Sequence, residues 1–208
     1  EKDFIELISI ANHEKAIDCF MPFVNTVWPS FIEGRHHKVM AESFEKIANG
    51  KIKRLIVNMP PRHTKSEFAS YLLPAWFLGK YPEKKIIQTA HTAELATGFG
   101  RKVRNLFQDE AFQKIFPAVT GKGADLLIID DPHSEQDAQA GAYNPEVFDR
   151  VYEWYTSGPR QRLQPGGAIC IVMTRWHKRD LTGQILKSSI QREGSDDWEI
   201  IQFPALMP

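Results

Sequence analysis

Cysteine is scarce, charge of one sign does not dominate, and long apolar runs are missing. The two cysteines, Cys19 and Cys170, lie far apart and match no metal-ligand spacing. They read as reduced thiols of a cytosolic protein, with Cys170 buried in a strand. Lysine plus arginine number 26 and aspartate plus glutamate number 26, so the formal net charge is zero. Whole-chain charge therefore gives no support for nucleic-acid binding, which leaves only local patches. No apolar stretch approaches membrane-spanning length and no signal peptide opens the chain, so no membrane association is expected. Internal repeats and low-complexity tracts are lacking too. Glu1 and Pro208 read as cuts, and the chain is taken as a fragment.

The 208 residues suffice for one α/β domain with a sizeable core. Residues 1–50 read as a helical, irregular region. Met40, Phe44 and Ile47 fall at helical spacing, and Asn49-Gly50 ends that helix. Over 51–208, short apolar runs alternate with amphipathic stretches. The predicted strands are Arg54–Asn58, Lys85–Ala90, Leu126–Asp130, Ala168–Thr174 and Trp198–Phe203. All are continuous rather than alternating, as expected of strands covered on both faces. The predicted helices are Ser66–Leu78, Ala93–Gln108, Pro145–Tyr155 and Asp180–Ser188, with Asn144-Pro145 as a capped start. This alternation implies a parallel sheet with helices on both faces, and ligands beyond the carboxyl ends of its strands.

Chemistry gathers at two such ends. The first is Arg54-Leu-Ile-Val-Asn-Met-Pro-Pro-Arg-His-Thr-Lys65-Ser66-Glu-Phe, a strand, a short loop, then Lys-Ser opening a helix. A standard phosphate loop has glycine at the positions of Met59 and Thr64, and both glycines are missing here. Physics still favours an anion site. Arg62, His63 and Lys65 crowd the positive end of a helix dipole, which is unfavourable without a bound anion, and a triphosphate is the obvious one. Pro60 and Pro61 stiffen the loop where glycine usually shapes it. Lys65 is expected to reach the β- and γ-phosphates and the Ser66 hydroxyl to ligate Mg2+. The bland alternative is a strand–turn–helix with a solvated basic turn.

The second is Ala124-Asp-Leu-Leu-Ile-Ile-Asp130-Asp131-Pro132. Asp130, at the carboxyl end of its strand, is expected near Ser66 if the two strands are neighbours, holding magnesium directly or through water. Asp131 is expected to point the other way and to orient or deprotonate the attacking water.

These residues resemble the large subunit of tailed-bacteriophage terminases, the DNA-packaging motors. The matching stretches are Arg54 to Glu67, Thr120-Gly-Lys-Gly-Ala-Asp-Leu-Leu-Ile-Ile-Asp-Asp-Pro, Tyr152-Glu-Trp-Tyr, Val172-Met-Thr-Arg-Trp-His and Phe203-Pro-Ala-Leu. The resemblance implies a RecA-like (ASCE) P-loop NTPase sheet with a small helical N-terminal lid. It implies ATP hydrolysis that drives double-stranded DNA into a preformed capsid. Implied partners are the portal protein, the small terminase subunit and copies of this chain in a ring, a pentamer when assembled. The implied location is the host-cell cytoplasm, docked on the procapsid. Arg62 takes the place of the loop arginine that acts on the γ-phosphate in cis. Thr174 takes the place of the coupling residue that links hydrolysis to movement. Pro60 through Glu67, together with Thr174, form the implied nucleotide-binding set. The nuclease domain of the family is expected to be absent from this chain. Three departures stand out: Thr64 for glycine, Asp131 for the glutamate of many relatives, and an abrupt passage from Phe116-Pro-Ala-Val to Thr120-Gly-Lys-Gly.

A ring motor often completes its site with a neighbour's basic side chain, worth about three to five orders of magnitude in rate. Lys122 is the first choice for that catalytic role, with Arg101 and Arg104 behind it, although each is more often a solvated surface charge. Arg160, Arg162, Arg175, His177, Lys178 and Arg179 form a basic group that suits phosphates or simply a solvated face. His36 and His37 are candidates for stacking on adenine, with idle helix-surface histidines as the leading alternative. Trp76, Trp154 and Trp176 read as packing residues, Trp154 on the buried face of its helix. Two other functions fit the motifs: a helicase-type ATPase, distinguished by a response to single strands, and a nucleotide-sensing module without turnover.

Overall fold

The computed structural model describes residues 13–117, 125–191 and 196–204. Lys122, the Val119–Thr120 junction, Thr120-Gly-Lys-Gly and the Ala205-Leu206 end of the last matching stretch lie outside the described residues.

Five apolar runs form five strands, all hydrogen-bonded in parallel. They are β1 (Arg54–Asn58), β2 (Ile86–Ala90), β3 (Leu126–Asp130), β4 (Ala168–Met173) and β5 (Glu199–Gln202), in the order β2-β3-β4-β1-β5. The central three are buried almost throughout, as continuous apolar runs require. The outer two differ from the expectation of full cover. β2 is half-buried along its length and β5 alternates between half-buried and exposed, and among the described residues each has a neighbouring strand on one side only.

Residue parity sorts the core into two layers. Leu55, Val57, Leu126, Ile128, Cys170 and Val172 point to one face, and Ile56, Leu127, Ile129, Ile169, Ile171 and Met173 to the other. Each fully buried Leu or Ile contributes roughly 2 kcal/mol. The first face is covered by α1 (Phe20–Val27), α2 (Arg35–Ala48), a π-helical turn (Glu67–Leu72) running into α3 (Leu73–Lys80), α4 (Ala93–Leu106) and α5 (Glu110–Ile115). The second carries α7 (Glu146–Ser157) and α8 (Leu181–Gln191). The described part of the 1–50 region belongs to the first layer. Phe20, Phe23, Met40 and Phe44 are fully buried there, and Trp76 Nε1 donates to the Ala16 carbonyl at 3.0 Å.

Two α-helices among the described residues were not expected. α5 is one, and α6 (Glu135–Tyr143) is the other, whose sequence has little apolar periodicity. α6 is started instead by a capping box between Ser134 and Asp137. The single helix expected over Ser66–Leu78 is a π turn followed by α3. The widened turn precedes Pro74, which has no N–H to continue the regular ladder.

Candidate functional site

β1 and β3 are not neighbours, contrary to the condition under which Asp130 was expected to meet Ser66. β4 lies between them. The meeting happens nonetheless: Met59, at the start of the loop, donates its N–H to the Met173 carbonyl at the end of β4, and Ser66 reaches Asp130 beyond it. Asp130 has the parity of Leu126 and Ile128, so its side chain faces the layer that contains the π turn. The carboxylate, in a residue only 3% exposed, accepts from Ser66 Oγ at 2.9 Å and from Ser70 Oγ at 2.8 Å. Ser70 was missed by sequence reasoning. Ser66 opens the helix and Ser70 lies inside the π turn that follows, so the meeting of both hydroxyls on Asp130 depends on that turn's pitch.

Asp131 does not point away from this centre. The strand ends at Asp130, and Asp131 turns into a left-handed conformation, φ 39°, so strand alternation no longer applies to it. One of its oxygens, Oδ2, sits 2.6 Å from Lys65 Nζ, and the other accepts the Thr174 N–H at 2.9 Å. The Lys65 side chain is buried, and this pairing neutralises its charge at the helix mouth. Thr174, just past β4, also donates its hydroxyl to the Met59 carbonyl at 3.3 Å. It therefore straddles the acidic strand end and the loop.

The loop is unusual in its backbone. Arg62 and Thr64 adopt φ 63° and φ 60°. Thr64 thus retains, without being glycine, the left-handed geometry for which glycine is normally used. Pro60 is half-buried, while Pro61, Arg62 and His63 are exposed on the rim. His63 Nδ1 lies 2.8 Å from the Pro61 carbonyl. Glu67 is turned outward to pair with Lys102 on α4 at 2.7 Å. Arg101 and Arg104 are exposed on the same helix.

The basic group is largely neutralised within the chain. Arg160 pairs with Asp196, Arg175 with the fully buried Asp180, and Arg179 with Asp149. His177 stacks on Phe148 with ring centroids 5.1 Å apart. Trp76 is a core residue, but Trp154 and Trp176 are each 38% exposed. For Trp154 this corrects the expectation. α7 packs through Phe148, Val151, Tyr152 and Tyr155, and Trp154 falls off that stripe. His37 also departs from the idle-surface expectation: it is buried and its Nε2 lies 2.6 Å from Thr64 Oγ1.

Burial pushes the Asp130 carboxyl up to about 6, and the charge of Asp131 adds to this. Hydrogen bonds from Ser70 and Ser66 and the charge of Lys65 act in the opposite sense. Above pH 6 the folded chain must therefore keep ionised a carboxylate that would take a proton at lower cost than in the unfolded chain. Between pH 6 and about 4 the native state binds the extra proton, so this group's destabilising effect fades as pH falls. Asp130→Asn is expected to be more stable than wild type by roughly 2–3 kcal/mol at pH 7 in EDTA. That advantage should vanish near pH 4. Urea unfolding at the two pH values checks this, and a variant less stable than wild type at pH 7 would contradict it.

The donor set at the centre is one carboxylate and hydroxyls, hard oxygen ligands that suit Mg2+ and not a soft metal. Among the described residues no cluster of three His, Cys, Asp or Glu could form a cage. A magnesium that travels with phosphates needs none, since it takes one or two protein oxygens and fills its sphere with phosphate and water. Among the described residues no helix is long and apolar enough to cross a membrane. No protein-family model matches the chain, and a search among curated proteins finds no significant match.

Proposed function

We propose that this chain is the ATPase part of a DNA-packaging motor, a RecA-like P-loop NTPase of the terminase large-subunit type. One observation carries the nucleotide part. Lys65, Asp131 and Thr174 on one side and Ser66 and Asp130 on the other, each held by contacts of 2.6 to 2.9 Å and adjacent along the chain, gather at the carboxyl edge of a parallel sheet. The all-parallel sheet flanked by helices is compatible with that fold. The packaging role rests on the motif resemblance alone, and so do double-stranded DNA, the portal protein, the small subunit, the ring and the cytoplasmic location on the procapsid.

In this reading Lys65 transfers from Asp131 to the β- and γ-phosphates, and Arg62 folds from the rim onto the γ-phosphate. Both neutralise charge as the phosphoryl group leaves. Ser66 and Asp130 would hold Mg2+, which supplies charge neutralisation on the phosphate oxygens when bound. Asp131, released from Lys65, orients the attacking water. Thr174 keeps contact with Asp131 through its N–H and with the loop through its hydroxyl, which suits it to transmit a change from one to the other.

Phosphate release measured against protein concentration, with and without DNA, tests the proposal. ATP turnover should rise more steeply than linearly with protein, as a ring completes its sites, and should respond to double-stranded DNA. A response to single strands only would favour the helicase-type enzyme, and ATP binding without any turnover would favour the sensing module.

A further inference from the structure

We propose that His37 is a positioning residue for the phosphate loop, fixing Thr64 in the left-handed backbone conformation that lets the loop do without glycine. The inference rests on the reading of that loop as a nucleotide site.

The need for such a device follows from sterics. A β-branched residue at positive φ is a genuine outlier, disfavoured by roughly 5- to 30-fold against the right-handed form. Strain of this kind persists only where surrounding contacts over-determine it. Around Thr64 those contacts form a single directed chain. The Gly34 N–H can only donate, and it donates to His37 Nδ1 at 2.8 Å. A neutral ring that accepts at Nδ1 carries its proton on Nε2. Nε2–H therefore donates to Thr64 Oγ1 at 2.6 Å, and the Thr64 hydroxyl donates onward to the His63 carbonyl at 2.6 Å. Both ring nitrogens and the hydroxyl proton are used, and their directions leave no second arrangement.

The ring itself is immobilised. It lies against Phe31 with centroids 4.7 Å apart and against Phe68 with centroids 4.9 Å apart. Phe68 belongs to the π turn, and its N–H donates to the Thr64 carbonyl at 3.0 Å. His37 thus grips Thr64 directly by the hydroxyl and also packs against the residue that holds its carbonyl. On the far side, α2 is anchored by Met40 and Phe44, both fully buried. Burial, with smaller effects of His36 and His63 that outweigh the opposing Glu33, pulls the ring down to about 4, which keeps it neutral as the chain of donors requires. α2 is in this way tied to the phosphate loop through His37.

The experiment is a double-substitution cycle read by calorimetric titration with magnesium-ATP. His37→Phe keeps an aromatic ring and removes both nitrogens. It should weaken ATP binding about tenfold in the Thr64 chain, the factor that the strain of one residue can produce. In a Thr64→Gly background, where positive φ is free of strain, the same change should cost less than about twofold. His37→Gln, which keeps a donor near the Nε2 position, should recover most of the loss. Thr64→Val replaces the hydroxyl by a methyl on a side chain that stays β-branched and should bind about tenfold more weakly than Thr64→Gly, which keeps the test open if His37→Phe misfolds. Equal losses from His37→Phe in both backgrounds, or equal binding by the valine and glycine variants, would overturn the role. Nitrogen-15 NMR of the wild-type ring decides independently of ATP. A proton on Nε2, with a resonance that shifts in Thr64→Val, is expected, and a proton on Nδ1 overturns the inference. If ATP does not bind to wild type while the ring shows the expected tautomer, the nucleotide reading fails and the positioning contact stands.

Discussion

Lys65→Ala is expected to lower ATP turnover by about a thousandfold or more, with the fold intact. The ammonium is the one buried cation at the centre of the cluster, and a phosphoryl transfer relies on fixed positive charge more than on covalent help from the protein. Loss of a single preorganised group of this sort costs about 10²–10³ in rate. Lys65 should cost at least the upper figure, because it contributes to ATP binding as well. The fold should survive because the charge left behind is not stranded. The Asp131 side chain is 27% exposed and keeps the Thr174 N–H, so water can replace the ammonium. Arginine is not an adequate substitute, since its planar, bulkier head does not fit a site shaped for a compact point charge. Steady-state phosphate release and a thermal melt on the same preparation check both halves. Turnover within tenfold of wild type would remove Lys65 from the mechanism.

Asp131→Asn is expected to move two observables in opposite directions. Turnover should fall by about 10²–10⁴, the range for loss of a group that handles a proton on the nucleophile. ATP binding should tighten several-fold. In the free chain Lys65 is held by Asp131 at 2.6 Å, and ATP must break that pair before it gains the lysine. Asparagine keeps an oxygen for the Thr174 N–H but no charge for Lys65. A variant with weaker binding and full turnover would show that Asp131 is a structural partner of Lys65 and nothing more. The same pair accounts for the one basic side chain buried at the helix mouth. Arg62 and His63 are exposed, and only Lys65 is buried, where a carboxylate meets it.

Much of the scaffold was legible from residue type alone. Leu126–Asp130 and Arg54–Asn58 end where their apolar runs meet polar residues, and both strands have those bounds. The order of the strands was not legible. Nothing in either motif indicates that β4 separates β1 from β3, because order depends on which helices cover which face. Edge position was hidden for the same reason: Ile86-Ile87 looks like a central strand and sits at one side of the sheet. Within the site, Lys65, Ser66 and Asp130 came from motif chemistry. Ser70 and His37 did not, since one needs the pitch of the π turn and the other a contact between residues 27 positions apart. Asp131 was misdirected by extending strand alternation one residue past the strand's end. Trp154 was misplaced because a large apolar side chain was assumed to define the buried face of its helix, whereas Phe148, Val151 and Tyr155 define it.

The central claim is that a magnesium-bound polyphosphate belongs between Lys65 and the two aspartates. A crystal structure of the chain with Mg2+ and a non-hydrolysable ATP analogue tests it most directly. The account predicts Lys65 Nζ on the β- and γ-phosphates instead of on Asp131, with the metal against Ser66 and Asp130. An analogue bound elsewhere, with the Lys65–Asp131 pair unbroken, would contradict it.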